Sequence, residues 1–258
     1  MKKTFIILLC VFLISSLAIT FSFLFNKKVE KINVEVSDNI SEKEDDYISI
    51  EFDDFEYFVH YYITEKPEDI FLYTNLYEKQ QSVILKEKEN CSLLISGGFY
   101  DKDYKHLGLL YKNDEIVSKS IRSDTFNAYF TIDNNYKVKI SREEPETPLY
   151  LALQSGPMLI EQRKLIKLDL KNDKHARRAI IGLTNVQEVI FMAVTDFQTG
   201  LSGPYLEDLP QILKLFEDSI GIGLTDAINL DGGGAMAFIT EKVKITENQV
   251  IGSFFCIK

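Results

Sequence analysis

From Tyr47 onward the chain alternates short apolar runs with clusters of Gly, Asn, Asp and Pro. Runs rich in Val, Ile, Tyr and Phe that are cut off by turn formers read as strands. On that basis strands are predicted at 55–63, 70–73, 91–96, 106–111, 116–117, 126–132, 136–140, 149–153, 179–183 and 189–195. Asn113-Asp114 and Asp133-Asn134-Asn135 separate two of these pairs, so each pair reads as a hairpin. His60 lies within the first run, as a packed or surface strand residue. Pro157 cannot serve a central ladder, so the stretch Ser155-Gly156-Pro157 predicts a turn or bulge.

One segment changes period. Leu206, Leu209, Ile212, Leu213, Phe216 and Ile220 follow helical spacing with one apolar face. Pro210 fits only the first turn of such a helix, and Gly221 and Gly223 end it. Residues 81–89 carry a weaker helical pattern.

The residues around Asn229-Leu230-Asp231-Gly232-Gly233-Gly234-Ala235-Met236 stand out. One buried strand ends at an aspartate, three glycines follow, and a second apolar run begins at once. Glycine loses more backbone entropy on folding than any other residue, so three in a row need a reason. One reading is a tight hairpin with Asp231 as a cap. The other is a loop whose bare N–H groups approach a ligand. No Gly-Lys-Ser/Thr follows, so it is not a phosphate-binding P-loop.

Ahead of the strands, Lys2-Lys3 precede an uncharged apolar stretch that Lys27-Lys28 close, near the ~20 residues that span a bilayer. Residues 1–28 are therefore expected to form a membrane anchor, with the domain outside. A cleaved signal, using the small residues of Ser16-Leu17-Ala18, is the alternative and would give a secreted protein. Residues 29–46 read as an acidic polar tether, and 47–258 as one domain.

At 258 residues the chain is long enough for one sizeable core, and its formal charge of −10 argues against a nucleic-acid binder, which would need a clustered basic face. Cys91 and Cys256 sit in apolar surroundings, where a disulfide and two buried free thiols are both compatible with the sequence. His106 and His175 have no partner at metal-ligand spacing, so no cofactor or required metal is expected. A calcium held by carboxylates and carbonyls is still compatible.

Apolar runs meet small or charged clusters at Gly97-Gly98-Phe99, Ser155-Gly156, Arg177-Arg178 and Asp231-Gly234, with Asp196 as a fifth point. Loops at strand ends often gather on one side of a sheet. Together they would supply N–H-rich turns, guanidinium groups and two carboxylates.

In this order, Gly-Gly-Phe-Tyr, Gln-Ser-Gly-Pro-Met-Leu-Ile, Arg-Arg-Ala-Ile-Ile-Gly and Asn-Leu-Asp-Gly-Gly-Gly, the motifs resemble the phosphodiester glycosidase family. The likeness runs from about Phe55 to the C-terminus. Ser96 stands where Asn is commoner, and Ala235 where Ser is usual. The resemblance implies an α+β domain with a mixed, curved β-sheet and a few packed helices. It also implies a hydrolase that cleaves a sugar-1-phosphodiester, here in an envelope or extracellular polysaccharide.

On that reading Asp231 is the base or nucleophile, with Asp196 the second choice. Arg178 is the bidentate cation for phosphate, and Arg177 its basic neighbour. Gly97, Gly98, Phe99, Ser155, Gly156, Gly232, Gly233 and Gly234 would hold phosphate or sugar. A non-catalytic polysaccharide-binding module of the same fold is the alternative. An anchored structural protein with tight hairpins is the third reading.

Overall fold

Strand pairing sorts the apolar runs into three sheets. The computed structural model describes residues 47–258, so the expected anchor and tether at 1–46 lie outside the described residues. In chain order the first strands are β1 (Ile48–Phe52), β2 (Phe55–Thr64), β3 (Ile70–Thr74), β4 (Leu93–Ser96), β5 (Leu110–Lys112) and β6 (Glu115–Ser118). Next come β7 (Ala128–Ile132), β8 (Val138–Ser141), β9 (Leu151–Ser155), β10 (Met158–Glu161), β11 (Lys164–Leu165) and β12 (Arg178–Thr184). The last are β13 (Val189–Asp196), β14 (Leu224–Asn229), β15 (Phe238–Ile239), β16 (Lys244–Ile245) and β17 (Ser253–Ile257). Two α-helices accompany them among the described residues, α1 (Ser82–Glu89) and α2 (Leu209–Ile220).

The first sheet has the order β1-β2-β13-β12-β14-β10-β11, the second β16-β15-β4-β17-β3, and the third β6-β5-β9-β7-β8. Every pairing in them is antiparallel. The α+β class is thus as expected, but three antiparallel sheets stand where one mixed sheet was expected. Their inner faces meet in one core that includes Leu93, Phe130, Ile181, Phe191, Ile228 and Phe255.

The continuous apolar runs of β12 and β13 follow from cover on both faces. Ala179 and Ile181 face the shared core, while Ile180, Met192 and Val194 face α2. Helix α2 buries Leu209, Ile212, Leu213 and Phe216 against them, at about 1.5–3 kcal/mol per fully buried large side chain. Pro210 sits in its first turn, and Gly221 ends it with φ 72°.

Local turn chemistry agrees with the sequence. Asn113 and Asp114 both take positive φ, 51° and 58°, between β5 and β6. Asp133 Oδ1 accepts from Asn135 N and Lys137 N between β7 and β8.

On the outer face of the second sheet, Cys91 and Cys256 form a disulfide across a sequence separation of 165. That resolves the two options left by the sequence, because the end of α1 and strand β17 place the two Cα atoms 5.2 Å apart.

Candidate active site

Each glycine motif proves to be a crossing between sheets. Residues beginning at Gly97 carry the chain from β4 in the second sheet toward the third. Ser155-Gly156-Pro157 passes from β9 in the third sheet to β10 in the first. Asp231–Gly234 passes from β14 in the first sheet to β15 in the second, so it is not a hairpin. Hydrogen bonds tie the three crossings together. Asp231 N donates to Gly97 O at 2.8 Å, and Gly156 N donates to Asn229 O at 3.0 Å.

Close backbone approach explains the glycines better than ligand contact does. A Cβ on Gly232 would lie 2.5 Å from Arg177 O, one on Gly234 would lie 2.9 Å from the Gln249 side chain, and Gly233 has φ 58°. Most of their N–H groups are engaged by the framework. Gly97 N donates to Ser253 O, Gly98 N to Ser253 Oγ, and Gly233 N to Arg177 O. Gly232 N–H donates to the Asp231 carboxyl.

The cradle below the loop is buried. Ser155, wholly enclosed, donates through Oγ to Asn229 O at 2.7 Å. Asn229 Nδ2 donates to Gly156 O, and Asn229 Oδ1 has no partner among the described residues. Ser96 Oγ donates to Asp231 O at 2.9 Å, so the residue in the usual Asn position still fastens the aspartate backbone. Ala235, where Ser is usual, is buried. What solvent reaches is the half-buried set Phe99, Tyr100 and 231–234. Phe99 packs on Phe126 with ring centroids 4.8 Å apart.

Asp231 is chemically unusual. Burial pushes its carboxyl up to about 7, only partly opposed by the Gly232 N–H. Tyr100 is raised too, by its own burial and by the nearby Asp231 charge.

The two arginines divide their work. Adjacent residues of a strand point to opposite faces. Arg177 turns to the glycine loop, donating from Nε and Nη2 to Gly233 O and from Nη1 to Thr246 O. Arg178 turns away, donating to Pro204 O and Lys174 O and pairing with Asp173 at 3.1 Å. Burial lowers the Arg178 pKa, and Asp173 offsets part of that. Arg177 thus binds the glycine loop at Gly233, whereas none of Arg178's hydrogen bonds reaches that loop.

Asp196 ends β13 at the same end of the first sheet. Its carboxylate accepts from Thr199 N, Thr199 Oγ1 and Ser202 N. Burial alone would raise it, but these donors outweigh burial and hold it below the usual carboxylate range. It lines a hollow of about 950 Å³ beside the β1–β2 turn, together with His175. His106, in contrast, is lowered to about 4 by burial, and neither ring nitrogen has a partner among the described residues.

With three glycine crossings fastened around one aspartate, the comparison with known proteins is specific. A family model described as phosphodiester glycosidase matches residues 89–254, well over half of the chain. The chain belongs to the phosphodiester glycosidase family. The family match begins at the end of α1 and takes in every crossing and both arginines.

Two solved structures share the fold. One is the zebrafish N-acetylglucosamine-1-phosphodiester alpha-N-acetylglucosaminidase catalytic domain, auto-inhibited by its pro-peptide. It is 18% identical with a TM-score of 0.62, covering 82% of this chain and 81% of that one. The other is a hypothetical protein from Synechocystis, 12% identical with a TM-score of 0.57, covering 82% of this chain and 61% of that one. No curated protein matches the chain.

Sequence reasoning quoted Asn229 within the glycine motif but gave neither it nor Ser253 a site role, although Asn229 holds Gly156 and Ser253 holds Gly97 and Gly98. The signal for Asn229 was a polar residue inside the apolar run before Asp231. Ser253 carried none, since its role comes from a strand joined by distant contacts.

Proposed function

We propose that this member of the phosphodiester glycosidase family hydrolyses a sugar-1-phosphodiester, with Asp231 as base or nucleophile. The observation that carries the proposal is the Asp231 carboxyl, buried at the meeting of three sheets and raised to about 7. Such tuning is typical of acid–base groups that work near neutrality. Both roles require the ionised form, so activity rises with pH through about 7.

Breaking the C1–O bond builds positive charge on the sugar ring and negative charge on the departing phosphate. A carboxylate on the loop answers the first. Arg177, bound to the Gly233 carbonyl, brings guanidinium charge close to where the second develops. Phe99 and Tyr100 wall the site on the Gly97 side. Arg178 takes a structural part, as a buried strap between the 173–174 segment and Pro204.

The zebrafish relative's named activity on an N-acetylglucosamine-1-phosphodiester makes that sugar the first to try. The disulfide supports an oxidising, extracytoplasmic setting, as does the apolar N-terminal stretch. A glycan-binding module without catalysis is the second reading, favoured by the engagement of both arginines with protein carbonyls.

The test is release of free sugar from aryl and UDP-linked N-acetylglucosamine-1-phosphodiesters by wild type and Asp231→Asn. Release by wild type alone supports the proposal. Equal release by both moves the chemistry off Asp231, and binding without release by either supports the second reading.

A further inference from the structure

The sheet end that carries Asp231 also carries the hollow beside the β1–β2 turn, and the chemistry at Asp231 gives that hollow no role. Its volume of about 950 Å³ lies at the upper end of ligand pockets, with room for more than one sugar ring. Phe55 and Phe197 stand on its wall 53% and 51% exposed. Aromatic side chains bury large apolar areas when they can, so two exposed rings lining one concavity mark a contact surface. The Phe55 ring lies 5.4 Å from the His175 ring, which itself packs 3.9 Å from Tyr205, so the aromatic surface extends beyond one ring.

A pyranose ring fits such walls, offering an apolar C–H face to the aromatics and hydroxyls to polar neighbours. Glu51, Asp53 and Asp54 also line the hollow, and none has an ion pair among the described residues. Carboxylates accept from hydroxyls and attract an ammonium group, which the aromatic faces also favour. They repel phosphate and uronate, at about 1 kcal/mol per close pair even in water-like surroundings. The departing phosphate therefore does not run through this hollow.

The hollow and the site share one wall. His175 lines the hollow, Ala176 stands 4.0 Å from where a Gly233 side chain would begin, and Arg177 holds Gly233 O. We propose that the hollow is a binding subsite for an uncharged or amine-bearing glycan segment, continuing from the sugar at Asp231, and that it rejects anionic segments. The continuation rests on the Asp231 reading, whereas binding in the hollow does not.

Isothermal titration of the full chain with tetrasaccharides of N-acetylglucosamine, glucosamine and galacturonate tests this. The first two bind and the third does not. Replacing Phe55→Ala with Phe197→Ala weakens binding roughly tenfold or more, measured on protein whose melting curve shows it folded. Asp53→Asn with Asp54→Asn abolishes the preference for glucosamine over N-acetylglucosamine. Failure of both non-acidic tetrasaccharides to bind, or equal binding of galacturonate, overturns the proposal. Binding persists in Asp231→Asn, so loss of turnover there and loss of binding here are read separately.

Discussion

Asp231 and Asp196 leave the same end of one sheet, with only β12 between their strands, yet their surroundings set them far apart. Asp231 sits half-buried at a seam where three sheets cross, its carboxyl desolvated and with one N–H donating to it. Asp196 caps an open turn whose Thr199 and Ser202 groups donate to it. Burial with few donors favours the protonated form, and several donors favour the charge. Proximity to a site therefore says less about a carboxylate's work than the donors around it do. Burial raises the Asp231 carboxyl to about 7, whereas the turn donors lower that of Asp196.

The largest effect expected from breaking this contrast is on turnover. Asp231→Asn lowers kcat/KM for a sugar-1-phosphodiester on the order of 10³-fold, while Asp196→Asn stays within roughly tenfold. Steady-state kinetics on the two variants check it.

Stability against pH separates the pair next. Asp231 has a folded pKa above its unfolded value of 3.8, so its contribution is fully present below that value and lost as pH rises to about 7. The loss is about 4 kcal/mol at most. Asp196 runs the other way. Its folded pKa is lowered, so its contribution is present above 3.8 and lost as pH falls through the folded value. Urea unfolding should show the stability difference between wild type and Asp231→Asn falling from pH 4 to pH 8, because the opposing rise from buried His106 is common to both proteins.

The arginines sharpen the same contrast between seam and surroundings. Arg178→Ala leaves Asp173 unpaired in a nearly buried site and costs about 3–5 kcal/mol of stability. Arg177→Ala loosens the loop around Gly233, so turnover falls by more than the loss of folded protein explains. Denaturant curves with activity per folded molecule distinguish them.

The disulfide leaves both carboxylates in place. Cys256→Ser costs about 2–4 kcal/mol and leaves the pH profile of activity unchanged, as melting curves and kinetics would show.

Much of this was legible in the sequence, because strands, hairpins and α2 follow local rules. Pro210, Gly221 and the Asn113-Asp114 turn each mark a boundary by their own backbone preferences. The three glycine motifs were visible, but their reason was not. Gly232 and Gly97 are glycine because distant chain segments pass close by, which no local pattern records. The arginines show the same limit. Arg177 and Arg178 are equivalent as text, and only strand alternation with the neighbours on each face assigns one to the loop and one to Asp173. The cysteines likewise could be paired only once α1 and β17 were placed.

The most direct test of Asp231 as the reacting carboxylate is the pH dependence of kcat/KM for sugar release, in wild type and in Asp196→Asn. The account predicts a rise through about pH 7 that is the same in both proteins. A rise centred near the ordinary carboxylate value of about 4, or one that shifts when Asp196 is replaced, would contradict it.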